Sequence, residues 1–319
     1  MDKNIGRIAV LAYYNFQQIR LQLLNQIRDI LRRLNENIPF DAFEEKKDEK
    51  SYDAQYSDKN LLPLLEQLTK EKKISKQTSK FLEDCLITVL GGEDKDILTC
   101  PHCDGWFYVN EHTKGIVGIE NRYKKLMEKF IKDEMVFTEF LDKIRGVGII
   151  HGANLIKAFG DCGQYSTLSK LRAHCGYSVG KDNKAPHRKK GEKIKYNPEL
   201  KTMVWKITHN LMMHNKGFYR KLYNEYKEKQ LEREYEPGFL CDNYNGYEKE
   251  DIKLSKGHAH NRALRKIGVL FLSHFWEASR ELNGLPAVKT YVEDILNHSN
   301  IIYWKDVLKM EGCLSDKSK

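Results

Sequence analysis

The chain has 319 residues, of which 31% are charged and 40% are hydrophobic. This balance excludes a disordered chain and suits a helix-rich protein that buries one large core or two modest ones. The formal net charge of +9 favours a polyanionic partner such as nucleic acid.

The seven cysteines are odd in number and mostly scattered, which argues against a secreted disulfide framework. No stretch approaches the ~20 apolar residues of a membrane helix. The first residues, MDKNIGRIAV, do not have the layout of a signal peptide. We therefore predict a cytoplasmic protein in a reducing compartment.

The first predicted element is a long amphipathic helix. Apolar residues recur every three or four positions and form one helical stripe, which consists of Ile8, Ala12, Phe16, Ile19, Leu23, Ile27, Ile30 and Leu34. Such a stripe forms core or a partner interface, so a homodimer through this helix is one expectation. The side chains off the stripe either face nucleic acid or are solvated; they are Arg20, Arg28, Arg32 and Arg33.

A charged linker is predicted from about Pro39 to Lys59, because this segment is polar and has no apolar period. A pair of helices follows, near Leu61 to Glu71 and Ser75 to Leu90, and Gly91-Gly92 closes the second one. Together these elements predict a helical N-terminal region over residues 1–92.

Residues 93–114 form a predicted insert around a Cys-Pro-His-Cys motif. The thiolates of Cys100 and Cys103 can chelate one metal ion, and His112 can supply a third ligand. Candidates for the fourth ligand are Cys85, His102 or a partner chain. The motif therefore has two interpretations. One is a zinc knuckle, and the other is two reduced cysteines in a small β-hairpin of residues 106–109.

The most informative stretch runs from Phe140 to Asp161. It predicts a helix, a tight bend at Gly146-Val147-Gly148, and a second helix that turns inward the residues Ala153, Leu155, Ile156 and Phe159. Glycine tolerates positive φ and has no Cβ, so the amides of the bend can approach a bound anion. The second helix adds its N-terminal partial positive charge. The pattern is typical of a helix-hairpin-helix that grips phosphates without reading bases; the alternative is an ordinary corner without a ligand.

A basic loop follows, with the cations Lys181, Lys184, Arg188, Lys189, Lys190, Lys193 and Lys195. Gly180, Pro186 and Gly191 prevent regular helix here. The loop could serve solubility alone, but next to the bend it indicates a polyanion footprint, with binding that weakens steeply with salt. The predicted nucleic-acid-binding residues are Gly146, Val147, Gly148, His151, Lys181, Lys184, Arg188, Lys189, Lys190 and Lys193.

Three helices are predicted in the second half of the chain. Ser166 should cap a short helix that ends near Cys175, with Gly176 as its stop. Asn197, Pro198 and Glu199 announce a new helix, whose buried side would be Leu200, Met203, Val204, Ile207, Leu211, Phe218 and Leu222. Near its far end, bases could stack on tyrosines that otherwise form a core rim, namely Tyr219, Tyr223 and Tyr226, beside Lys221.

The last predicted helix spans about Ala259 to Leu282. His258 and His260 are spaced i, i+2 and do not share a helical face, so they bind phosphate or simply begin the helix rather than forming a metal pair. His274 is expected to be a hydrogen-bonded interior histidine. Residues 287–319 are predicted as a C-terminal tail.

Several runs resemble a known family, the IS-one-ten insertion-sequence transposases. Their C-terminal domain is similar to IRGVGIIHGANLIKAFGDCGQYSTLSKLRAHCGYSVGK, to KAPHRKKGEKIKYNPELKTMVWKI, and to the later run RALRKIGVLFLSHFWEASRELNGLP. The early run YYNFQQIRLQLLNQIRDI resembles the helix that precedes this domain. The resemblance covers roughly residues 5–34 and 130–286, and it implies a transposase C-terminal-like domain over residues 115–286.

The resemblance implies DNA recombination, in which a mobile element is excised and inserted under the guidance of a structured RNA. Members join an RNase H-like domain with four acidic residues to a C-terminal domain with a nucleophilic serine. This chain departs from that pattern twice. The apolar run from Ile8 to Ala12 leads into Tyr13, Tyr14 and Asn15 rather than an aspartate. The slot of the serine reads Lys184-Ala185-Pro186, and Ser178 lies too near the preceding helix to match.

The predicted fold class is therefore mainly α: a helical N-terminal region, a Cys-x-x-Cys insert and a helix-hairpin-helix domain. Three functions stay open. The first is a DNA-binding protein of this transposase family without a complete catalytic site of its own, for which a structured RNA is an alternative ligand. The second is an active recombinase that a partner chain completes, or whose nucleophile is unplaced. The third is a helical scaffold that binds protein, with zinc bracing the insert.

Overall fold

The structure is a computed structural model that describes residues 3–38, 56–90, 98–99, 106–107, 115–179, 185–186, 191, 193–214, 216–244, 246–287 and 301–312. These residues are mainly helical, which confirms the mainly α class; the helix-hairpin-helix and the Cys-x-x-Cys knuckle stay predictions. The chain divides into two compact units, residues 1–127 and 128–319. Among the described residues, no helix is both long enough and apolar enough to span a membrane.

The helices are, in chain order, α1 (Lys3–Glu36), α2 (Leu61–Lys70), α3 (Lys76–Leu90), α4 (Gly115–Ile131), α5 (Met135–Glu139), α6 (Ile149–Phe159), α7 (Leu168–His174), α8 (Pro198–Met213), α9 (Phe218–Glu232), α10 (Phe239–Asn243), α11 (Lys256–Leu282) and α12 (Trp304–Met310). Single 3₁₀ turns lie at Asp58–Asn60 and Leu141–Lys143. Two short strands, β1 (Leu98–Thr99) and β2 (Trp106–Phe107), pair antiparallel, with Leu98 opposite Phe107. The small β-hairpin predicted for residues 106–109 is observed in part, because Trp106 and Phe107 form a strand that pairs with Leu98–Thr99, while residues 108 and 109 lie outside the described ranges.

The core of the first unit forms where α1 meets the predicted helix pair, now observed as α2 and α3. Its buried residues include Leu24, Leu31, Leu61, Leu68 and Leu86. These leucines recur at helical spacing on each element, so one face of each helix is removed from water. The prediction of a long first helix followed by a helical pair is confirmed.

The stripe predicted for α1 is wrong in detail. Ile8 and Ile19 are 61% and 44% exposed, whereas Ala9, Val10 and Tyr13 on the opposite side are buried. The N-terminal half of α1 carries apolar residues on both sides, so spacing alone could not decide which side packs. The exposed isoleucines are compatible with a partner, but the homodimer stays a prediction.

The arginines of α1 are engaged within the chain. Arg20 Nε donates to Glu120 at 2.6 Å, and Arg28 pairs with Asp58. Arg32 and Arg33 both contact Asp29, which precedes them on the same helix. These pairs favour a structural role over a nucleic-acid contact.

In the second unit, α11 is the central helix and packs against α5, α7, α8, α9 and α12. Phe271, Phe275 and Trp276 are almost completely buried on it, and the Trp276 indole donates to the carbonyl oxygen of Tyr165 at 2.9 Å. His274 is also buried and hydrogen-bonded, as predicted. The helix begins at Lys256, three residues before the predicted start at Ala259, and its cap is Ser255, whose hydroxyl accepts from the amide of His258.

Three local predictions need correction. The segment before the bend is not one helix, because α5 ends at Glu139 and a 3₁₀ turn follows. The cap of α7 is Thr167 rather than Ser166, since the Thr167 side chain accepts from the amide of Lys170. The helix that begins at Asn197 stops at Met213, and α9 starts only after Gly217, whose φ of +128° is foreign to a helix.

The predicted tail contains a helix that the sequence analysis does not foresee. Trp304, Val307 and Leu308 of α12 are buried. The Trp304 indole donates to Glu281 at 2.7 Å, and the carbonyl oxygen of Ile302 lies 2.9 Å from His274 Nε2. Residues 301–312 therefore form part of the second core.

Gly268 lets α11 approach the segment after α7. A Cβ at this position would lie 2.5 Å from Tyr177 Cε1 and 3.1 Å from Thr208 Oγ1. We expect Gly268→Val to lower the free energy of unfolding by roughly 2–3 kcal/mol, because the core must be overpacked or displaced. Urea denaturation measures this change. Gly257→Val is the matched control, since a Cβ at Gly257 on the same helix meets nothing within 4 Å. Equal stability of the two variants would contradict the prediction.

Candidate nucleic-acid interface

The two glycines of the bend have different geometries. Gly146 has a φ of +97°, and a Cβ there would lie 3.1 Å from the carbonyl oxygen of Asn210 and from the His214 ring. Gly148 has an ordinary φ of −93°, is exposed and caps α6, and a Cβ there would meet nothing within 4 Å. The bend is therefore packed against α8 at Gly146 and open to a ligand at Gly148.

Two further predicted contact residues, Val147 of the bend and His151 of α6, pack against the protein. Val147 is only 3% exposed. His151 Nε2 lies 2.8 Å from the side-chain amide of Asn210, and its buried Nδ1 has no hydrogen-bond partner among the described residues. Burial, followed by the nearby charge of Lys206, lowers the pKa of His151. His151 therefore tends to be neutral at physiological pH and links α6 to α8. On α6, Ala153, Leu155, Ile156 and Phe159 are buried, as predicted.

A groove of about 650 Å³ adjoins the bend, and we call it the Arg145 groove. Its cationic lining residues are Arg145, Lys216, Arg220 and Lys221. Glu311 also lines it, accepts from the amide of Phe218 at 2.7 Å and lies 3.7 Å from Arg145 Nε. One carboxylate thus faces four cations, so the groove is net positive.

A second groove of about 540 Å³, the Arg262 groove, lies between α9 and the first half of α11. Four cations line it, Arg233, Arg262, Arg265 and Lys266, and its described lining residues include no carboxylate. The Arg262 guanidinium donates to Gln230 at 3.0 Å and to the Tyr244 hydroxyl at 3.1 Å. These neutral acceptors hold the arginine in place without cancelling its charge.

Arg265 organises the segment that follows α7. Its guanidinium donates to the carbonyl oxygens of Gly176 and Ser178 and lies 5.3 Å from the centroid of the Tyr177 ring. Lys201 Nζ donates to the carbonyl oxygen of Pro186 at 2.9 Å. The main chain on both sides of residues 180–184 is therefore anchored by cations, and the Ser178 side chain is half-buried.

Most of the basic loop lies outside the described residues. This holds for Lys181, Lys184, Arg188, Lys189 and Lys190. Lys193 and Lys195 are described and exposed. The predicted footprint of this loop therefore stays a prediction.

The predicted metal ligands Cys100, Cys103 and His112 also lie outside the described residues, as does His102. Cys85 is a half-buried free thiol. In the described ranges, no group of three or more His, Cys, Asp or Glu side chains could hold a metal ion. Zinc at the insert stays a prediction.

The tyrosines and histidines of the second unit form an internal network. Tyr219 and Tyr223 are buried, and their hydroxyls contact the Nδ1 atoms of His274 and His260. The Tyr247 hydroxyl lies 2.9 Å from His258 Nδ1. The core-rim interpretation thus holds for Tyr219 and Tyr223.

Sequence reasoning missed Trp205 and the two grooves. Trp205 lies on the exposed side of α8. The one local signal is that Trp205 is apolar, whereas the residues three and four positions away on the same helical face are polar, namely Lys201, Thr202, Thr208 and His209. The grooves combine cations from segments far apart in the chain, so no local signal could have predicted them.

Comparison with known families gives one match. The family model described as Transposase IS116/IS110/IS902 family matches residues 138–224, or 87 of the 319 residues. The matched segment includes the bend, the basic loop and α8. No curated protein and no solved structure matches the chain.

Proposed function

We propose that the chain serves DNA transposition by binding nucleic acid, and the premise is the match of residues 138–224 to the IS116/IS110/IS902 transposase family. The proposed contacts are main-chain amides at the bend, the cations of the basic loop and the two grooves. Contacts of this kind go to phosphates and position the nucleic acid without reading its sequence.

The proposal rests mainly on Gly148 at the start of α6, where the space next to the main chain is free of other protein atoms. A helix of 11 residues begins there, and its first amides have no acceptor within the helix. The partial positive charge of the helix end adds to Arg145 in the neighbouring groove. An anion at Gly148 would therefore meet both amides and cations.

The Arg262 groove is a second proposed binding surface for phosphates in this unit. The groove has four cations and, among its described lining residues, no carboxylate, so it raises the local concentration of a polyanion. Because each neutralised phosphate releases counterions, affinity should fall steeply with salt.

We further propose that this chain binds rather than cuts. Ile8 to Ala12, the one early apolar run, lies within α1 and not in a strand that ends in aspartate. The positions where the family has its nucleophilic serine are occupied by Lys184, Ala185 and Pro186 in this chain. Cleavage of a DNA end by the purified protein, abolished by Ser178→Ala, would overturn this part of the proposal and favour a complete recombinase.

Substitution of Gly148 by valine should weaken duplex binding about tenfold, the equivalent of one charge-assisted hydrogen bond. The branched side chain would occupy the space through which a phosphate reaches the amides. Fluorescence anisotropy with a labelled duplex measures the affinity.

Gly148→Ala, which adds only the Cβ, is the graded control and should give a smaller loss. Both variants should keep the helical circular dichroism of the wild type, because a Cβ at Gly148 meets nothing within 4 Å. Equal duplex affinity in the wild type and Gly148→Val would count against the bend as a phosphate site.

A further inference from the structure

A pocket on the exposed side of α8 has a different chemistry from the two grooves. It has a volume of about 360 Å³, and we call it the Trp205 pocket; its lining includes Tyr177, Lys201, Thr202, Trp205, Asn261 and Arg265. This volume is at the small end of the range for sites that hold small molecules. It suits a single flat ring system rather than an extended polymer.

Trp205 supplies a stacking surface in this pocket. Its side chain is 48% exposed, although large aromatic side chains are normally buried. The centroids of the His209 and Trp205 rings lie 4.4 Å apart, and the ring planes form an angle of 33°. His209 therefore packs against one face of the indole. A supported and exposed indole can stack on any nucleobase.

The two cations of the pocket are already engaged by the protein. Lys201 Nζ donates to the carbonyl oxygen of Pro186 and lies 4.5 Å from the Tyr196 ring centroid. Arg265 donates to the carbonyl oxygens of Gly176 and Ser178. Both side chains keep their charge, but the donors named here point at carbonyl oxygens of the protein, so a ligand in this pocket meets the indole and the polar side chains beside it.

Asn261 provides a polar group that could recognise such a ligand. It is exposed and lines the pocket. A side-chain amide presents one donor and one acceptor side by side, which matches the edge of an adenine. Recognition of one edge would add a preference to the stacking.

Arg265 also lines the Arg262 groove, so the pocket and this basic groove share a wall. Phosphates in the groove would place a neighbouring base within reach of the pocket. A base can enter only when it is unpaired and unstacked from its neighbours.

We infer that the Trp205 pocket takes one unstacked nucleobase of a single-stranded nucleic acid, stacked on Trp205 and contacted at its edge by Asn261. This inference rests on the proposed function, because the Arg262 groove must hold the phosphates. It adds a single-strand subsite to a surface that otherwise contacts phosphates.

The test compares Trp205→Ala with wild type by fluorescence anisotropy. The probes are a labelled 15-nucleotide single strand as DNA, the same strand as RNA, and the DNA duplex. Trp205→Ala should lose about tenfold in affinity for at least one single strand and keep its duplex affinity. Trp205→Phe should recover most of the loss, since phenylalanine also stacks. Phe81→Ala, which removes a 65% exposed aromatic side chain from α3, is the matched control and should change nothing.

Unchanged affinity of Trp205→Ala for both single strands, with duplex binding intact, would overturn the inference alone. A loss without rescue by phenylalanine would also overturn it, because stacking would then not be the cause. Wild type that binds neither duplex nor single strand would overturn the proposed function together with the inference. A loss confined to RNA or to DNA supports the inference and identifies the strand.

Discussion

Reversing Arg188, Lys189 and Lys190 to glutamate should reduce duplex affinity at low salt by about a hundredfold. Each of these cations would otherwise neutralise a phosphate, and each glutamate adds repulsion. The loss should be the same for unrelated sequences, since phosphate contacts carry no sequence information. The slope of log affinity against log salt should flatten by about one for each contact removed, or about three in total.

The measurement is a salt titration of affinity for two unrelated duplexes. The matched control reverses three exposed lysines of α2 and α3, Lys70, Lys76 and Lys80, so that the net charge changes by the same amount. That control should leave the slope nearly unchanged. An equal loss in both proteins would mean that total charge and not the basic loop governs binding. A loss for one duplex only would mean that the loop reads bases.

The parts of the fold that the sequence predicts are those governed by local chemistry. The Asn197 side chain accepts from the amides of Glu199 and Leu200, and Pro198 follows it. Three consecutive residues, 197–199, therefore suffice to predict the start of α8. Gly176, with a φ of +70°, ends α7 in the same local way. Such signals depend on backbone geometry within one turn and do not require knowledge of the partner elements.

Burial was harder to predict because it depends on what packs against an element. The N-terminal half of α1 has apolar residues on both sides, and only the tertiary structure decides that Val10 is buried and Ile8 exposed. Apolar residues recur at helical spacing from α8 through α9, so the sequence predicts one continuous helix. The structure has two helices, because the positive φ of Gly217 interrupts the helical backbone. The candidate site follows the same rule, because Arg233, Arg262 and Lys266 become a groove only when α9 and α11 pack together.

His274 makes the second unit sensitive to acid. Its Nδ1 lies 2.8 Å from the buried Tyr219 hydroxyl, and its Nε2 lies 2.9 Å from the carbonyl oxygen of Ile302. A neutral ring with its proton on Nε2 satisfies both contacts, since it donates to the carbonyl and accepts from the hydroxyl. Burial lowers the pKa of His274 to about 4, against a raising contribution from the Ile302 hydrogen bond; the charge of Arg172 lowers it and that of Asp306 raises it.

His274 is therefore protonated near pH 6.5 in the unfolded chain but only near pH 4 in the folded chain. Stability from this group is complete above pH 6.5 and is lost as the pH falls toward 4, by roughly 3 kcal/mol. Urea denaturation at pH 7 and pH 4 measures the loss. His274→Gln cannot protonate in this range, so its loss between the two pH values should be smaller by that amount, although its stability at pH 7 is lower.

Burial also lowers the pKa values of His151, His258 and His260. These three histidines are present in both proteins, so their contributions cancel. The difference between wild type and His274→Gln therefore reports on His274 alone. His214→Gln, at an exposed histidine, should lose as much stability as the wild type. The same loss in wild type and His274→Gln would show that a charged imidazole is tolerated between Tyr219 and Ile302. In that case the Tyr219 hydroxyl would have to rotate so that its oxygen accepts a hydrogen bond from the protonated Nδ1 of His274, and the assignment of a neutral ring in the core would be wrong.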